Sequence, residues 1–109
     1  MKSDKLYLQH ILECIMKIEE YTLEGKHTFY ESTMIQDAVI RNLEIIGEAT
    51  KQISDTLKEQ YPNIPWREMA GLRDVLIHHY FGVDLDIVWN VVEQELPELK
   101  VSLTNLLNL

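Results

Sequence analysis

The stretch RDVLIHHYF, which begins at Arg73, gathers side chains that handle phosphate groups and protons. An arginine fork can hold a phosphate and stabilise the extra negative charge of its transition state. A histidine has a free pKa of about 6.5, so His78 can take or give a proton at neutral pH. In RNA the 2′-hydroxyl lies beside its own phosphorus. Arg73 and His78 therefore suit phosphodiester cleavage without a metal ion.

A regular helix would not bring these side chains to one point. At about 100° per residue, Arg73 and Tyr80 share a face, whereas Arg73 and His78 are offset by about 140°. Asp74 lies one turn before His78, where its carboxylate can fix the imidazole tautomer. Tyr80 can hydrogen-bond a phosphate or stack on a base. We therefore expect either a kink or a second copy of this helix across a dimer axis.

The same residues also have a purely structural interpretation. An arginine on a helix is usually solvated or salt-bridged, and a histidine near a helix C-terminus interacts favourably with the helix dipole. Spacing alone therefore leaves both interpretations open.

Helical periodicity dominates the rest of the chain, since apolar residues recur at three-and-four spacing and no strand-like alternation is found. The pattern predicts an all-α bundle of four main helices, over about 4–23, 33–57, 66–81 and 85–106. A short extra helix is expected near Ser54–Gln60. We predict a single domain over residues 1–109.

Local signals set the expected helix ends. Ser32 or Thr33 can cap the second helix, and Thr33 with Gln36 matches a capping box. Asp84 is the expected cap of the last helix, which Pro97 should bend or interrupt.

Composition narrows the function. The formal charge of −8 argues against tight non-specific binding to nucleic acid, which requires a basic face, but it permits catalysis in a locally positive cleft. The single cysteine, Cys14, excludes a disulfide framework and indicates a reducing compartment. No signal peptide or membrane span is predicted, so we expect a cytoplasmic protein.

Nearly the whole chain resembles one family. Arg73, His78 and Tyr80 match the Arg-x4-His-x-Tyr signature of HEPN-domain ribonucleases. Three further stretches are similar to the HepT-like branch, the toxin half of HepT/MNT toxin–antitoxin pairs: AVIRNLEIIGEATKQIS, PWREMAGLRD and YFGVDLDIVWNVV.

The resemblance implies a HEPN-type helical bundle that dimerises with its motif helices facing each other across a cleft. It also implies metal-independent endoribonuclease activity without a cofactor, with Arg73 and His78 catalytic. Asp74 and His79 are candidate supporting residues: the Asp74 carboxylate either orients His78 or weakens RNA binding, and His79 has a minor role. Many relatives carry Asn where this chain has Asp74. The implied partner is an MNT-type nucleotidyltransferase antitoxin, which silences the toxin by attaching AMP to Tyr80. Messenger RNA and transfer RNA are both candidate substrates.

Other polar residues are weaker candidates for a functional role. Asn42 falls near the apolar seam of the second helix, where it either lines the cleft or fixes helix packing. Glu24 and His27 echo a metal-binding pair but straddle a glycine, and we predict no metal site there. His10 is interpreted as a residue at the edge of the core, and Trp66 and Trp89 as core or interface anchors.

Three functional hypotheses follow. The first is a type VII-like HepT ribonuclease toxin, and the second is a non-catalytic HEPN module that binds nucleotides or a nucleotidyltransferase. The third is a helical dimer in which the motif is only structural.

The last helix carries an acidic face that is solvated, repels RNA or meets a basic antitoxin surface: Glu93, Glu95 and Glu98.

Overall fold

The computed structural model describes residues 2–72, 74 and 84–108, and these residues form helices and turns without a β-strand. In this part of the chain the helices are α1 (Lys2–Tyr21), α2 (Lys26–Glu31), α3 (Thr33–Lys51), α4 (Asp55–Gln60), α5 (Trp66–Ala70), α6 (Leu85–Asn90) and α7 (Leu96–Leu107). A π-helical turn, Val91–Glu95, joins α6 to α7. The predicted all-α class is confirmed.

The two longest helices form the centre of the core. α1 packs along α3, while α5 packs on α3 and α7 on α1. The centre of the apolar stripe predicted for α1 is buried, with Ile11, Ile15 and Ile18 inaccessible to solvent, whereas Met16 at its edge is exposed. Val39 and Ile46 of α3 are equally inaccessible. Burying side chains of this size contributes about 1.5–3 kcal/mol each, so this pair of helices provides the rigid frame of the molecule.

The helix predicted over 33–57 is shorter than expected, because α3 ends at Lys51. Ser32, not Thr33, caps it: the Ser32 hydroxyl accepts a hydrogen bond from the Ile35 amide at 3.2 Å. Gln36 does not close a capping box, since its amide instead donates to the carbonyls of Phe29 and Tyr30. Those two carbonyls belong to α2, a short helix that the sequence pattern did not predict.

The short extra helix predicted near Ser54 is confirmed as α4. The Ser54 hydroxyl caps it by accepting from the Leu57 amide. Asp4 of α1 is buried and accepts from both the Ser54 amide, at 2.9 Å, and the Ser54 hydroxyl, at 2.6 Å. The hydrogen bond from the Ser54 hydroxyl lowers the pKa of Asp4. One carboxylate therefore ties the start of α1 to the start of α4.

Two helix interruptions shape the second half of the chain. The helix predicted over 66–81 is broken at Gly71, which caps the C-terminus of α5, and most of its remainder lies outside the described residues. The predicted interruption at Pro97 is confirmed as the π-helical turn directly before it. Proline lacks an N–H and its ring clashes with the carbonyl four residues earlier, and a wider turn removes that clash.

Among the described residues, no helix is both long and apolar enough to cross a lipid bilayer.

Candidate functional site

The predicted site residues are only partly described. Asp74 and Asn42 lie in the described part of the chain, whereas four predicted residues lie outside it: Arg73, His78, His79 and Tyr80. The geometry of the Arg-x4-His-x-Tyr set therefore stays a prediction. The elements on either side of it are described and show where the motif segment joins the bundle.

Lys51, the last residue of α3, links the start of the motif to the core. Its Nζ lies 3.6 Å from Oδ1 of Asp74 and 4.0 Å from Oε1 of Glu48. More than half of the Asp74 side chain is exposed, so the pair contributes at most about 1 kcal/mol. Its main consequence is positional, because it places the second motif residue beside the C-terminal turn of α3.

An open groove lies beside this contact, and we call it the α1–α3 groove. Its volume is about 330 Å³. Residues from α1, from α3 and from the turn after α3 line it: Tyr7, His10, Arg41, Glu44, Ile45, Glu48, Ala49 and Gln52. Glu48 both lines the groove and lies within reach of Lys51. The groove and the described start of the motif are therefore adjacent.

Helical spacing explains the polar lining of the groove. Arg41, Glu44 and Glu48 occur at positions i, i+3 and i+7 of α3, which is one face of a helix, and Tyr7 and His10 are three apart on α1. Glu44 is half-buried and forms no hydrogen bond or ion pair with another described residue. The groove thus combines a cation, an unpaired carboxylate and an aromatic ring.

Asn42 is buried and hydrogen-bonded within α3. It is 7% exposed, its Nδ2 donates to the Ala38 carbonyl at 2.9 Å, and it does not line the α1–α3 groove. Tyr7 and Glu44, which line the groove, are not among the site residues predicted from the sequence. The available signal was the spacing of Arg41, Glu44 and Glu48, which puts three charged residues on one face of α3.

The remaining sequence candidates have structural roles. Trp66 and Trp89 are buried, which confirms them as core residues, and Trp89 Nε1 donates to a Glu93 carboxylate oxygen at 3.2 Å. His27 Nε2 lies 3.3 Å from Glu31, and both side chains are largely exposed. Within the described ranges, no group of three or more His, Cys, Asp or Glu side chains is placed to hold a metal ion.

The segment after the motif also contacts the bundle through side chains. Asp84 caps α6 as predicted, since its carboxylate accepts from the Asp86 amide at 2.9 Å. The Asp86 carboxylate in turn accepts from the Tyr30 hydroxyl of α2. This hydrogen bond raises the pKa of Tyr30 to about 12. Lys51 therefore contacts Asp74, the described residue at the start of the motif, and Tyr30 contacts Asp86, which follows the motif.

Comparison with known proteins identifies the family. A model described as "Ribonuclease HepT-like" matches residues 11–106, which is most of the chain. The chain belongs to the HepT-like ribonuclease family. This membership confirms the resemblance found in the sequence and supports a ribonuclease as the class of protein.

Three relatives show the range of similarity. "Probable ribonuclease HepT" of Thermococcus cleftensis is 51% identical over 100 residues, covering 91% of each chain. "Gamma-glutamylcyclotransferase and putative RNase" of Methanocaldococcus jannaschii is 49% identical over 107 residues, and the chain spans only 48% of that relative's length. "mRNA nuclease HepT" of Shewanella oneidensis is 27% identical over 114 residues, covering 83% of this chain. No solved structure shows a significant match.

Proposed function

We propose that this protein is the ribonuclease toxin of a HepT/MNT toxin–antitoxin pair, a homodimer that cuts RNA internally without a metal ion. One observation carries the proposal: a chain that belongs to the HepT-like ribonuclease family retains Arg73, His78 and Tyr80 in the Arg-x4-His-x-Tyr spacing. Single-stranded regions of messenger or transfer RNA are the substrate class, because unstacked nucleotides can enter a protein cleft.

The chemistry follows from the side chains. His78 acts as a general base that removes the proton from a 2′-hydroxyl, whose oxygen then attacks the adjacent phosphorus. Arg73 binds the non-bridging oxygens and stabilises the charge that develops on them. The bond from phosphorus to the 5′-oxygen breaks, and a protonated His78 or water supplies the proton to that oxygen. The products are a 2′,3′-cyclic phosphate and a 5′-hydroxyl.

A dimer suits a mechanism that needs a general base, a general acid and a phosphate-binding group. On a regular helix Arg73 and His78 are about 140° apart, so two copies facing each other can supply base, acid and phosphate clamp from both chains. The ion pair between Lys51 and Asp74 holds the motif start against the bundle. Asp74 orients His78 in this proposal, and His79 has only a minor role.

The proposal predicts chelator-resistant cleavage. Incubating the purified protein with a single-stranded RNA in excess EDTA should give the same cleavage rate as incubation with magnesium, because no step uses a metal ion. Gel electrophoresis measures the rate, and mass spectrometry of the fragments should find 2′,3′-cyclic phosphate ends. Activity that EDTA abolishes and magnesium restores would exclude this mechanism.

Tyr80 is the proposed regulatory switch. An AMP group on its hydroxyl would place a bulky anion beside Arg73, which blocks the phosphate site and repels RNA. Incubation with ATP and an MNT-type nucleotidyltransferase should therefore raise the intact mass by one or more AMP units and stop cleavage. Tyr80→Phe should show neither the mass increase nor the inhibition. Inhibition of the Tyr80→Phe variant by the same partner would show that silencing occurs through complex formation alone.

A second candidate function is favoured by the charge of the chain. A net charge of −8 is unusual for a protein that must approach a polyanion, and it suits a non-catalytic module that binds a nucleotide or a nucleotidyltransferase. Such a module would leave RNA length unchanged in the EDTA experiment while still binding its partner. Growth arrest on expression would then persist in a His78→Ala variant.

A further inference from the structure

The α1–α3 groove carries an unusual half-buried group. Glu44 has no hydrogen-bond or ion-pair partner among the described residues, although the residue is half-buried. A carboxylate in this position is stabilised by any ligand that brings two N–H donors to its two oxygens. The groove volume of about 330 Å³ falls within the range of small-ligand sites, about 300–1,000 Å³.

We propose that the groove binds a guanine nucleotide of the RNA substrate, with Glu44 accepting hydrogen bonds from the N1–H and the exocyclic amino group of the base. This inference rests on the proposed ribonuclease function and gives it a sequence preference. It makes Glu44 a specificity-determining residue rather than a catalytic one.

The chemistry of the four bases favours guanine. On its Watson–Crick edge guanine presents two adjacent donors, which match the two oxygens of one carboxylate. Adenine and cytosine each present one donor beside an acceptor, and that acceptor would face a carboxylate oxygen. Uracil presents one donor between two acceptors. Only guanine therefore satisfies Glu44 without placing two acceptors against each other.

The other groove residues match the rest of a nucleotide. Tyr7, half-buried on the opposite wall, offers a ring on which a base can stack. Arg41, exposed one turn before Glu44, can bind a phosphate oxygen. The second carboxylate of the groove, Glu48, lies 4.0 Å from Lys51, which offsets its charge. Since Lys51 also contacts Asp74, a nucleotide in the groove would lie near Asp74, the described residue at the start of the motif.

The first test measures the binding of each of the four nucleoside 3′-monophosphates by tyrosine fluorescence and by calorimetry. The wild-type protein should bind the guanine nucleotide about 10- to 100-fold more tightly than the others, which is the discrimination expected for one bidentate pair. Glu44→Gln should lose this preference, because an amide offers only one acceptor. Glu20→Gln is the matched control, since Glu20 is exposed on α1 outside the groove and its substitution removes the same charge.

The second test maps cleavage positions in an RNA that contains every dinucleotide step. The wild-type protein should cut at a fixed distance from guanine, whereas Glu44→Gln should lose that preference. Cleavage by the wild-type protein without base preference would overturn the groove assignment and leave the ribonuclease function standing. Glu44-dependent binding of the guanine nucleotide without any RNA cleavage would support the groove and overturn the ribonuclease function.

A third outcome assigns the groove to another occupant. If no nucleotide binds and Tyr7→Ala converts a dimer into monomers in sedimentation experiments, a second copy of the chain covers the groove. That result would overturn the proposal. Thermal unfolding of Glu44→Gln and Tyr7→Ala is measured alongside, so that loss of binding is not confused with loss of folding.

Discussion

Substitution of His78 by alanine is expected to lower the rate of RNA cleavage by about 10²- to 10⁴-fold, the usual contribution of a general base or acid. The reason is that the 2′-hydroxyl is a weak nucleophile while it retains its proton, and water at neutral pH removes that proton poorly. Arg73→Ala should lower the rate by about 10²- to 10³-fold, since it removes a charge that stabilises the transition state. Single-turnover cleavage of an end-labelled RNA in EDTA measures both effects.

The chain offers a matched histidine control in His27. This residue lies on α2, its ring is largely exposed, and its contact is with the equally exposed Glu31. His27→Ala should therefore cleave RNA at the wild-type rate. A similar loss of activity in His27→Ala and His78→Ala would show that removing either histidine impairs cleavage. It would contradict a specific role for the motif histidine.

The pH dependence separates the chemical role of His78 from a structural one. Cleavage by the wild-type protein should follow the titration of histidine, which has a free pKa of about 6.5, and should be bell-shaped if one histidine acts as base and its symmetry mate as acid. The residual activity of His78→Ala should lose this dependence. A His78→Ala variant that keeps the wild-type profile at a reduced rate would show that another group performs the proton transfer.

The features that could be predicted from the sequence depend on patterns within one helix. The apolar stripe of α1, the cap at Asp84 and the interruption before Pro97 each follow from a few neighbouring residues, and the structure confirms all three. The motif at Arg73 and His78 belongs to the same class, because its signal is a spacing along the chain. Its three-dimensional arrangement stays a prediction, since these residues lie outside the described part.

The features that were missed depend on contacts between elements. α2 has only six residues, too few for a periodic pattern, and it is held by Gln36 of α3 and by Phe29 in the core. The α1–α3 groove combines Tyr7 with Glu44, whose proximity depends on how α1 packs against α3. Sequence spacing shows which residues share a face of one helix, but it does not show which faces of two helices meet.

Substitution of Phe29 by alanine is expected to lower the free energy of unfolding by about 3–5 kcal/mol, the usual cost of removing a buried phenylalanine ring. Phe29 is fully inaccessible to solvent. Its ring centroid lies 5.3 Å from that of Trp89 in α6 and 5.5 Å from that of Tyr30, the latter in an edge-to-face arrangement. The cavity left by alanine would therefore loosen both α2 and α6. Urea-induced unfolding, followed by tryptophan fluorescence and circular dichroism, measures the change.

Two companion variants separate the packing of Phe29 from the hydrogen bond that joins the same elements. Leu23→Ala, at a residue that is 79% exposed, should change the free energy of unfolding by less than about 0.5 kcal/mol. Tyr30→Phe removes only the hydrogen bond to Asp86 and should cost less than Phe29→Ala. Equal losses in Phe29→Ala and Tyr30→Phe would mean that the hydrogen bond contributes as much as the aromatic packing to holding α6 in place. Because α6 begins directly after the motif segment, the variant that loosens it more should also show the larger loss of RNA cleavage.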